Sequence, residues 1–324
     1  MDKVPNEFPL VFIIIVNWNG WQNTCDCLTS LESVSYPNFE ILIIDNGSTD
    51  GSTERIKSSF PHVRIIELQE NLGFSGGNNQ GILYALNKGA DYVLLLNNDV
   101  IVDPSFLTSM VELFEQNSDV GAVNPKIYYL NHAKEKVLWG TGGKTNLWLA
   151  ASGNRGQDEV DRGQFDEPTE VDFVTGCCML MSREALILTG LFDQAYFIYY
   201  DDVDWSFRLQ RRGLTTYYTP HAKIWHAVSA ANMTIESGRG TLKPTVHFLT
   251  ARNHLWLVRR YSNYAQKLTA YPAYFLRRMV YYSAAFILLQ RREKLQRLWE
   301  GFWAGLQRKP GYQEPEPLWE MVEN

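Results

Sequence analysis

Four short apolar runs punctuate the first hundred residues: LVFIIIV (10–16), EILIID (40–45), VRIIEL (63–68) and YVLLLN (92–97). The first three are rich in β-branched residues, the fourth in leucine, and each suits a strand buried on both faces. Segments 21–34, 51–60 and 77–90 lie between them with helical spacing; the last sets Ile82, Leu83 and Leu86 on one side, with Gly89 as its C-cap. Strand and helix alternating in this way predict a mainly parallel sheet with right-handed crossovers. A helix is expected over 104–116, with Asp103 as N-cap and Pro104 at its first position. VGAVNPKIYY (120–129) reads as a strand, antiparallel strands are expected to extend the sheet through 182, 158–170 reads as a mobile acidic loop, and 183–189 as a helix. FIYYDDVDWSFRLQRRG (197–213) reads as an aromatic strand entering an amphipathic helix, TTYYT and AKIWHA as two short strands, and 245–307 as helical with an interruption at Pro272.

Composition narrows the class. The chain has 324 residues, 45% hydrophobic and 20% charged, enough for a packed core and about two domains at roughly 150 residues each. The longest mainly apolar stretch, Met279 to Leu289, is eleven residues including Ser283, below the roughly 18 of a spanning helix. The polar start MDKVPNEF followed by a seven-residue apolar run does not fit a signal peptide, so a cytoplasmic protein is expected. Cys25, Cys27, Cys177 and Cys178 stand as C-x-C and C-C, which fits reduced thiols better than a disulfide framework or a zinc site. The net charge of −6 conceals an asymmetry: residues 1–244 hold 18 Lys/Arg against 30 Asp/Glu, and residues 245–310 hold 12 against 2. The acidic body disfavours nucleic acid. The basic, aromatic-rich segment 245–310 suits a place on the inner face of an anionic membrane, or packing on the rest of the chain or on a second subunit in a homodimer.

Ligands of open parallel sheets bind at the carboxyl ends of the strands, so the residues after each run carry the chemistry. They are NWNG (17–20), DNGSTDGS (45–52), ENLGFSGGNNQG (70–81) and NNDV (97–100). Each alone is an ordinary turn, but four at one edge imply a shared site. Asp99 ends a buried strand, where a divalent cation such as Mg²⁺ or Mn²⁺ would offset its desolvation; the alternative is that it begins the next turn. Asp45 suits a base or ribose, or an Asx turn into Gly47. Gly73, Gly76 and Gly77 let backbone approach a ligand, with Asn78 and Asn79 as neutral donors. Neither a G-x-G-x-x-G fingerprint nor a Walker G-K-[ST] is present, which disfavours nicotinamide enzymes and P-loop NTPases. A second acidic centre, Asp201, Asp202 and Asp204, sits where a helix should start; simple N-terminal charge complementarity is the plain alternative. Tyr199, Tyr200 and Trp205 beside it offer flat surfaces for stacking on sugar rings. Asp204 stands at the i, i+4 spacing to brace Arg208. His226 ends a short strand and is a candidate metal ligand.

Together VNWNG (16–20), DNGSTDGS (45–52), NLGFSGGNNQG (71–81), LLNNDV (95–100), TGCCMLMSR (175–183), YYDDVDWSFRLQRRG (199–213) and His226 resemble the family 2 glycosyltransferases, in particular their rhamnosyltransferase-like branch, over about residues 10–260. The resemblance implies a GT-A fold: an α/β, mixed but mainly parallel sheet flanked by helices, with a C-terminal helical appendage. It implies a catalytic domain over 1–244 and a basic helical region over 245–324. It also implies a nucleotide-sugar donor, with dTDP-rhamnose the first choice, a glycan or lipid-linked glycan acceptor, a Mg²⁺ or Mn²⁺ cofactor and inversion at the anomeric carbon. By resemblance Asp45 contacts the nucleobase and Asn71, Gly73, Phe74, Gly76, Gly77 and Asn78 the nucleotide. Asn17, Asn97, Gly176 and Asp201 complete the donor site, Asp99 holds the metal, His226 helps hold metal or diphosphate, and Asp202 is the base. Two departures stand out: Asn97 and Asn98 precede Asp99 where many members carry an acidic triplet, and Asp201 stands where many carry Glu. A processive polysaccharide synthase is a rival reading, but LQRRGL (209–214) lacks the Trp of Q-x-x-R-W. A catalytically idle nucleotide-sugar-binding scaffold is the non-enzyme rival.

Overall fold

The computed structural model describes residues 8–228, 233–236, 239–307 and Leu318; side chains of 233–236 and 239–241 are not described. The polar start of the chain and, apart from Leu318, its acidic last fourteen residues lie outside the described residues. The expected alternation is present as β1 (Val11–Asn17), α1 (Trp21–Leu31), β2 (Phe39–Asp45), α2 (Ser52–Ser59), β3 (Arg64–Glu67), α3 (Gly73–Asn87) and β4 (Tyr92–Asn97). Next come β5 (Val100–Val102), α4 (Phe106–Gln116), β6 (Val120–Tyr129), β7 (Leu138–Gly140), the hairpin strands β8 (Gly143–Asn146) and β9 (Ala151–Asn154), β10 (Thr169–Glu170) and β11 (Cys178–Ser182). They are followed by α5 (Arg183–Thr189), α6 (Asp201–Arg211), β12 (Thr215–His226) and a hairpin of β13 (Met233–Glu236) and β14 (Arg239–Leu242). The C-terminal region is α7 (Pro244–Tyr261), α8 (Tyr264–Tyr274), a π-helical stretch Phe275–Val280, α9 (Tyr281–Leu288) and α10 (Arg292–Leu306).

The main sheet runs β10-β12-β6-β11-β4-β1-β2-β3. Strands β3, β2, β1 and β4 are mutually parallel, and β11 enters antiparallel to both β4 and β6. Both faces are apolar, which is why β1 reads as an unbroken run: Ile13 and Ile15 pack into one core, Phe12 and Ile14 into the other. The register pairs Asn17 with Asp45 and Val16 with Asn97, so the ends of three strands lie side by side.

Several expectations change in physically informative ways. Helix α3 begins at Gly73, not 77, so the glycine-rich segment is its first turns. Small residues are needed there because α3 lies directly on β1: a Cβ on Gly81 would stand 2.5 Å from Ile14 Cγ2. Residues 197–200 form no strand; Phe197, Tyr199 and Tyr200 adopt left-handed backbone (φ 67°, 70° and 67°) before α6. TTYYT and AKIWHA are one strand, β12, with an irregularity between Thr219 and Lys223. Asp103 caps α4 from outside, its Oδ1 accepting from Ser105 N, while Ser105 holds the N-cap position. Pro272 lies inside α8 rather than breaking it. The acidic loop expected to be mobile is tied down, because buried Lys126 Nζ lies 3.0 Å from Asp161 and 2.6 Å from Asp166.

Candidate functional site

The strand ends form a polar edge built from three interlocked groups. In the first, Asn17 Nδ2 donates to Asp45 Oδ1 at 2.8 Å, while Asp45 Oδ2 accepts from Ser48 N at 3.0 Å. Both residues are buried, so the loop after β2 is folded back on the end of β1. Asn46, absent from the sequence-based candidates, joins this loop to the next: it donates to Asn71 Oδ1 and to Gly73 O, both at 3.0 Å, and accepts from Leu72 N. Gly77 lies against Val16 and the Asn46 amide. Gly76 sits over its own helix's Leu72. The neutral donors expected at Asn78 and Asn79 are engaged within the fold, Asn78 with Phe74 O and Asn79 with both backbone groups of Phe192.

The second group joins α3 to the acidic cluster. Gly73 has φ +74° and a Cβ there would lie 2.3 Å from Phe197 O, so glycine is required for α3 to meet the loop before α6. Ser75 Oγ donates to Asp201 Oδ2 at 2.7 Å in a buried contact. Phe74 packs over Gly176, whose N–H in turn donates to Asp202 Oδ2 at 3.1 Å. Asp202 Oδ1 accepts from Val203 N at 2.9 Å. The three aspartates therefore differ sharply. Asp201 and Asp204 are buried, whereas Asp202 is half-buried at the helix start. Burial raises the carboxyls of both Asp201 and Asp202, and the Asp202 charge adds to the rise at Asp201. Asp204 bonds Arg208 Nε at 3.0 Å as expected from spacing, and also Arg260 Nη1 at 2.6 Å and the Tyr261 hydroxyl at 2.9 Å. Trp205 is no sugar platform: it is fully buried, donates to Gly190 O and stacks on Phe192.

The third group is Asp99 and His226. The pairing of β5 with β12 brings His226 opposite Val100, and His226 Nε2 lies 3.1 Å from Asp99 Oδ1. Both are buried, and His226 Nδ1 has no hydrogen-bond partner among the described residues. One carboxylate and one imidazole, adjacent and buried, fit a hard divalent cation whose remaining ligands would come from phosphate and water. Among the described residues no group of three or more His, Cys, Asp or Glu side chains could hold a metal by itself. Asn97 N donates to Cys177 O, so Asn97 borders the same corner. Asn98 turns away, donating to Thr24 Oγ1 at 3.0 Å. All four cysteines are free.

The loop carrying the acid pair is held from the C-terminal region. Asn253 on α7 is fully buried and its Nδ2 lies within 2.9–3.0 Å of the carbonyl oxygens of Tyr196, Ile198 and Tyr199. Arg252 Nη2 adds Ala195 O at 2.8 Å. Nothing in the chain's spacing marks these two residues, since they sit within an ordinary amphipathic helix. A cavity of about 900 Å³ lies at the opposite edge of the sheet, between α1 and the start of β2 and β3, and contains none of the site residues.

The comparisons agree with this architecture. Residues 12–188 match the family described as glycosyl transferase family 2. N-acetylglucosaminyl-diphospho-decaprenol L-rhamnosyltransferase of Mycobacterium tuberculosis is 27% identical over 223 residues, covering 61% of this chain and 70% of that protein. Poly-beta-1,6-N-acetyl-D-glucosamine synthase of Staphylococcus aureus is 27% identical over 237 residues, covering 70% of this chain and 53% of the synthase. Among solved structures, the mannosyltransferase PcManGT of Pyrobaculum calidifontis with GDP-Man and Mn²⁺ superposes with TM-score 0.53 at 16% identity, over 94% of this chain and 78% of that one. GalNAc-T7 with UDP, GalNAc and Mn²⁺ superposes with TM-score 0.59 at 15% identity, over 81% of this chain and 49% of that one, so this chain spans about half its length. The matched region holds β1 to α5 with their strand-end loops, and on that ground the chain belongs to glycosyl transferase family 2 and is a glycosyltransferase of GT-A fold.

Proposed function

We propose that this chain is an inverting glycosyltransferase that moves rhamnose from dTDP-rhamnose to a hydroxyl of a glycan or lipid-linked glycan, in the synthesis of a surface polysaccharide. The catalytic machinery is assigned to residues 1–244, with 245–324 as a basic helical region that meets the inner face of the membrane. The observation that carries this reading is the division of labour among the aspartates: Asp202 alone of the three is half-open, while Asp201 and Asp204 are committed to Ser75 and to two arginines. The rhamnosyl choice is supported by the Mycobacterium relative.

In this reading Asn17, Asp45 and the loop Asn71–Asn78 hold the nucleotide at the strand ends, with Phe74, Asn97 and Gly176 lining the donor. Asp99 and His226 would hold Mg²⁺ or Mn²⁺, which when bound neutralises charge on the departing diphosphate. Asp202 accepts the proton of the acceptor hydroxyl as that oxygen attacks the anomeric carbon from the face opposite the leaving group. The bond to the diphosphate breaks as the new glycosidic bond forms, which inverts the configuration. Gly176 N–H and Val203 N–H hold the Asp202 carboxylate in one orientation, so the proton acceptor is positioned before the acceptor binds. The deciding experiment is thermal-shift screening against a panel of nucleotide sugars with and without Mn²⁺, followed by donor hydrolysis. Selective stabilisation by dTDP-rhamnose with metal-dependent hydrolysis is expected. Stabilisation with no turnover would instead leave a sugar-nucleotide-binding protein.

A further inference from the structure

A second cavity, of about 520 Å³, opens against Tyr200, the residue that precedes the acid pair. Its walls include Tyr200, His254, Tyr274, Arg277, Arg278 and Tyr282. Tyr200 is the residue before Asp201, so the cavity adjoins the proposed base along the chain itself. Burial raises the Tyr200 phenol, the Arg278 charge opposes the rise and the Asp202 charge adds to it, so that hydroxyl is within electrostatic reach of both groups. The ring of Tyr200 stacks on His254 at 4.9 Å, and Tyr274 meets His254 edge-on at 5.3 Å. Burial, then the two arginine charges, hold the His254 imidazole down to about 3, so it is neutral, and its Nδ1 has no hydrogen-bond partner among the described residues.

Among the described residues neither arginine has a carboxylate partner. Arg277 donates to Leu149 O and Arg278 lies over the Tyr282 ring at 5.7 Å. Both lie in the π-helical stretch, a conformation that recurs at functional sites. On the same helical run Leu276, Val280, Ala284 and Leu288 recur every four residues, and all are exposed, Leu276 at 62% and Leu288 at 82%. An uncharged stripe on the outside and two cations in the wall, unpaired with carboxylate among the described residues, describe the two ends of an amphiphile: an anionic head and a hydrocarbon tail.

We propose that this cavity binds the diphosphate of a lipid-linked acceptor through Arg277 and Arg278, with the lipid chain lying along Leu276, Val280, Ala284 and Leu288. The proposal rests on the transferase reading and names the acceptor class for the same site. A diphosphate held there leaves the attached sugar to extend past Tyr200 towards Asp202.

The test is equilibrium binding to the full chain in EDTA, which removes the metal that would draw a diphosphate to the donor site. The probes are farnesyl diphosphate, farnesol, inorganic diphosphate and vesicles of phosphatidylglycerol. Farnesyl diphosphate should bind at least about tenfold more tightly than farnesol or inorganic diphosphate, and the Arg277→Gln/Arg278→Gln double variant should lose about tenfold or more, in line with charge-assisted contacts. Arg278→Lys, which keeps the charge, should retain much of the affinity and controls for folding. Equal affinity in wild type and double variant overturns the proposal. So does binding of inorganic diphosphate as tight as that of the lipid, or displacement by phosphatidylglycerol vesicles, which would mean a free-anion site or a general headgroup site. Titration of the same protein with dTDP-rhamnose and Mn²⁺ separates the two failures, because loss of donor binding counts against the transferase reading alone.

Discussion

The side-chain amide of Asn253 donates to the main-chain oxygen of Tyr199 at 2.9 Å, across 54 residues of sequence. Tyr199 and Tyr200 both hold φ near +70°, a conformation costing bulky residues about 1–3 kcal/mol each. Such a loop persists only if something over-determines it, and Asn253 does so by gathering the carbonyl groups of Tyr196, Ile198 and Tyr199. The loop in turn aims Asp201 and Asp202. Asn253→Asp keeps the shape of the side chain but repels those carbonyls, so it should be no better than Asn253→Ala. Both should lower kcat by roughly tenfold to a hundredfold with a smaller effect on donor KM, the pattern of misplaced chemistry. Equal kcat in wild type and variants, measured by donor turnover, would remove the positioning role.

Asp204 makes a contrasting prediction. It is fully buried and serves Arg208, Arg260 and the hydroxyls of Tyr196 and Tyr261, so it joins α6 to α7. Asp204→Ala leaves two cations without their shared carboxylate, a change that typically costs about 3–5 kcal/mol. Chemical denaturation should show a loss of that order, whereas Asp202→Asn should unfold close to wild type. A near-neutral Asp204→Ala would mean that the arginines find other partners.

How much of this was legible in the chain follows from where the information resides. The parallel core was legible because β1, β2 and β4 are buried on both faces and their sequences are unbroken apolar runs. The strand-end loops were legible because polar and glycine-rich residues cannot continue those runs. The segment 197–200, with left-handed backbone at Phe197, Tyr199 and Tyr200, was not, since its aromatic residues carry strand propensity and tertiary bonds from Asn253 override it. Trp205 was misread for a related reason: composition cannot distinguish a ring facing sugar from one stacked on Phe192. Asn46 and Ser75 were missed because each acts by joining two loops that are distant in sequence.

Asp99 demands a subtler substitution than alanine. Its carboxylate is bonded to buried His226, so Asp99→Ala would strand an imidazole as well as remove a metal ligand. Asp99→Asn preserves the shape while lowering charge and metal affinity. It should cut Mn²⁺-dependent transfer to less than about a tenth of wild type, because a lost metal contact removes several kcal/mol of transition-state stabilisation. Thermal unfolding without metal should change little. Retention of more than about a tenth of the activity would exclude Asp99 from the metal site.

The acid pair gives the sharpest test, because the two neighbours should respond differently to substitution and to pH. Asp202 is the proposed base, and Asp202→Asn cannot take a proton, so turnover should fall by roughly a hundredfold or more while donor binding barely changes. Burial raises the Asp202 carboxyl, so the acid limb of the kcat/KM profile should lie above the usual aspartate value of about 3.9. Asp201 instead carries a stability signature. Burial, and then the Asp202 charge, push its carboxyl up from 3.8 to about 7. Between those values the folded chain holds a proton that the unfolded chain has released, so this group's contribution to stability declines as pH rises through the window. Asp201→Asn keeps an acceptor for Ser75 and removes the ionisation. Its Tm relative to wild type should therefore improve from pH 4.5 to pH 8. A Tm difference that is flat across that range would show that Asp201 ionises in the folded chain as freely as it does unfolded. If Asp202→Asn turned over normally while Asp201→Asn were inactive, the base would be Asp201.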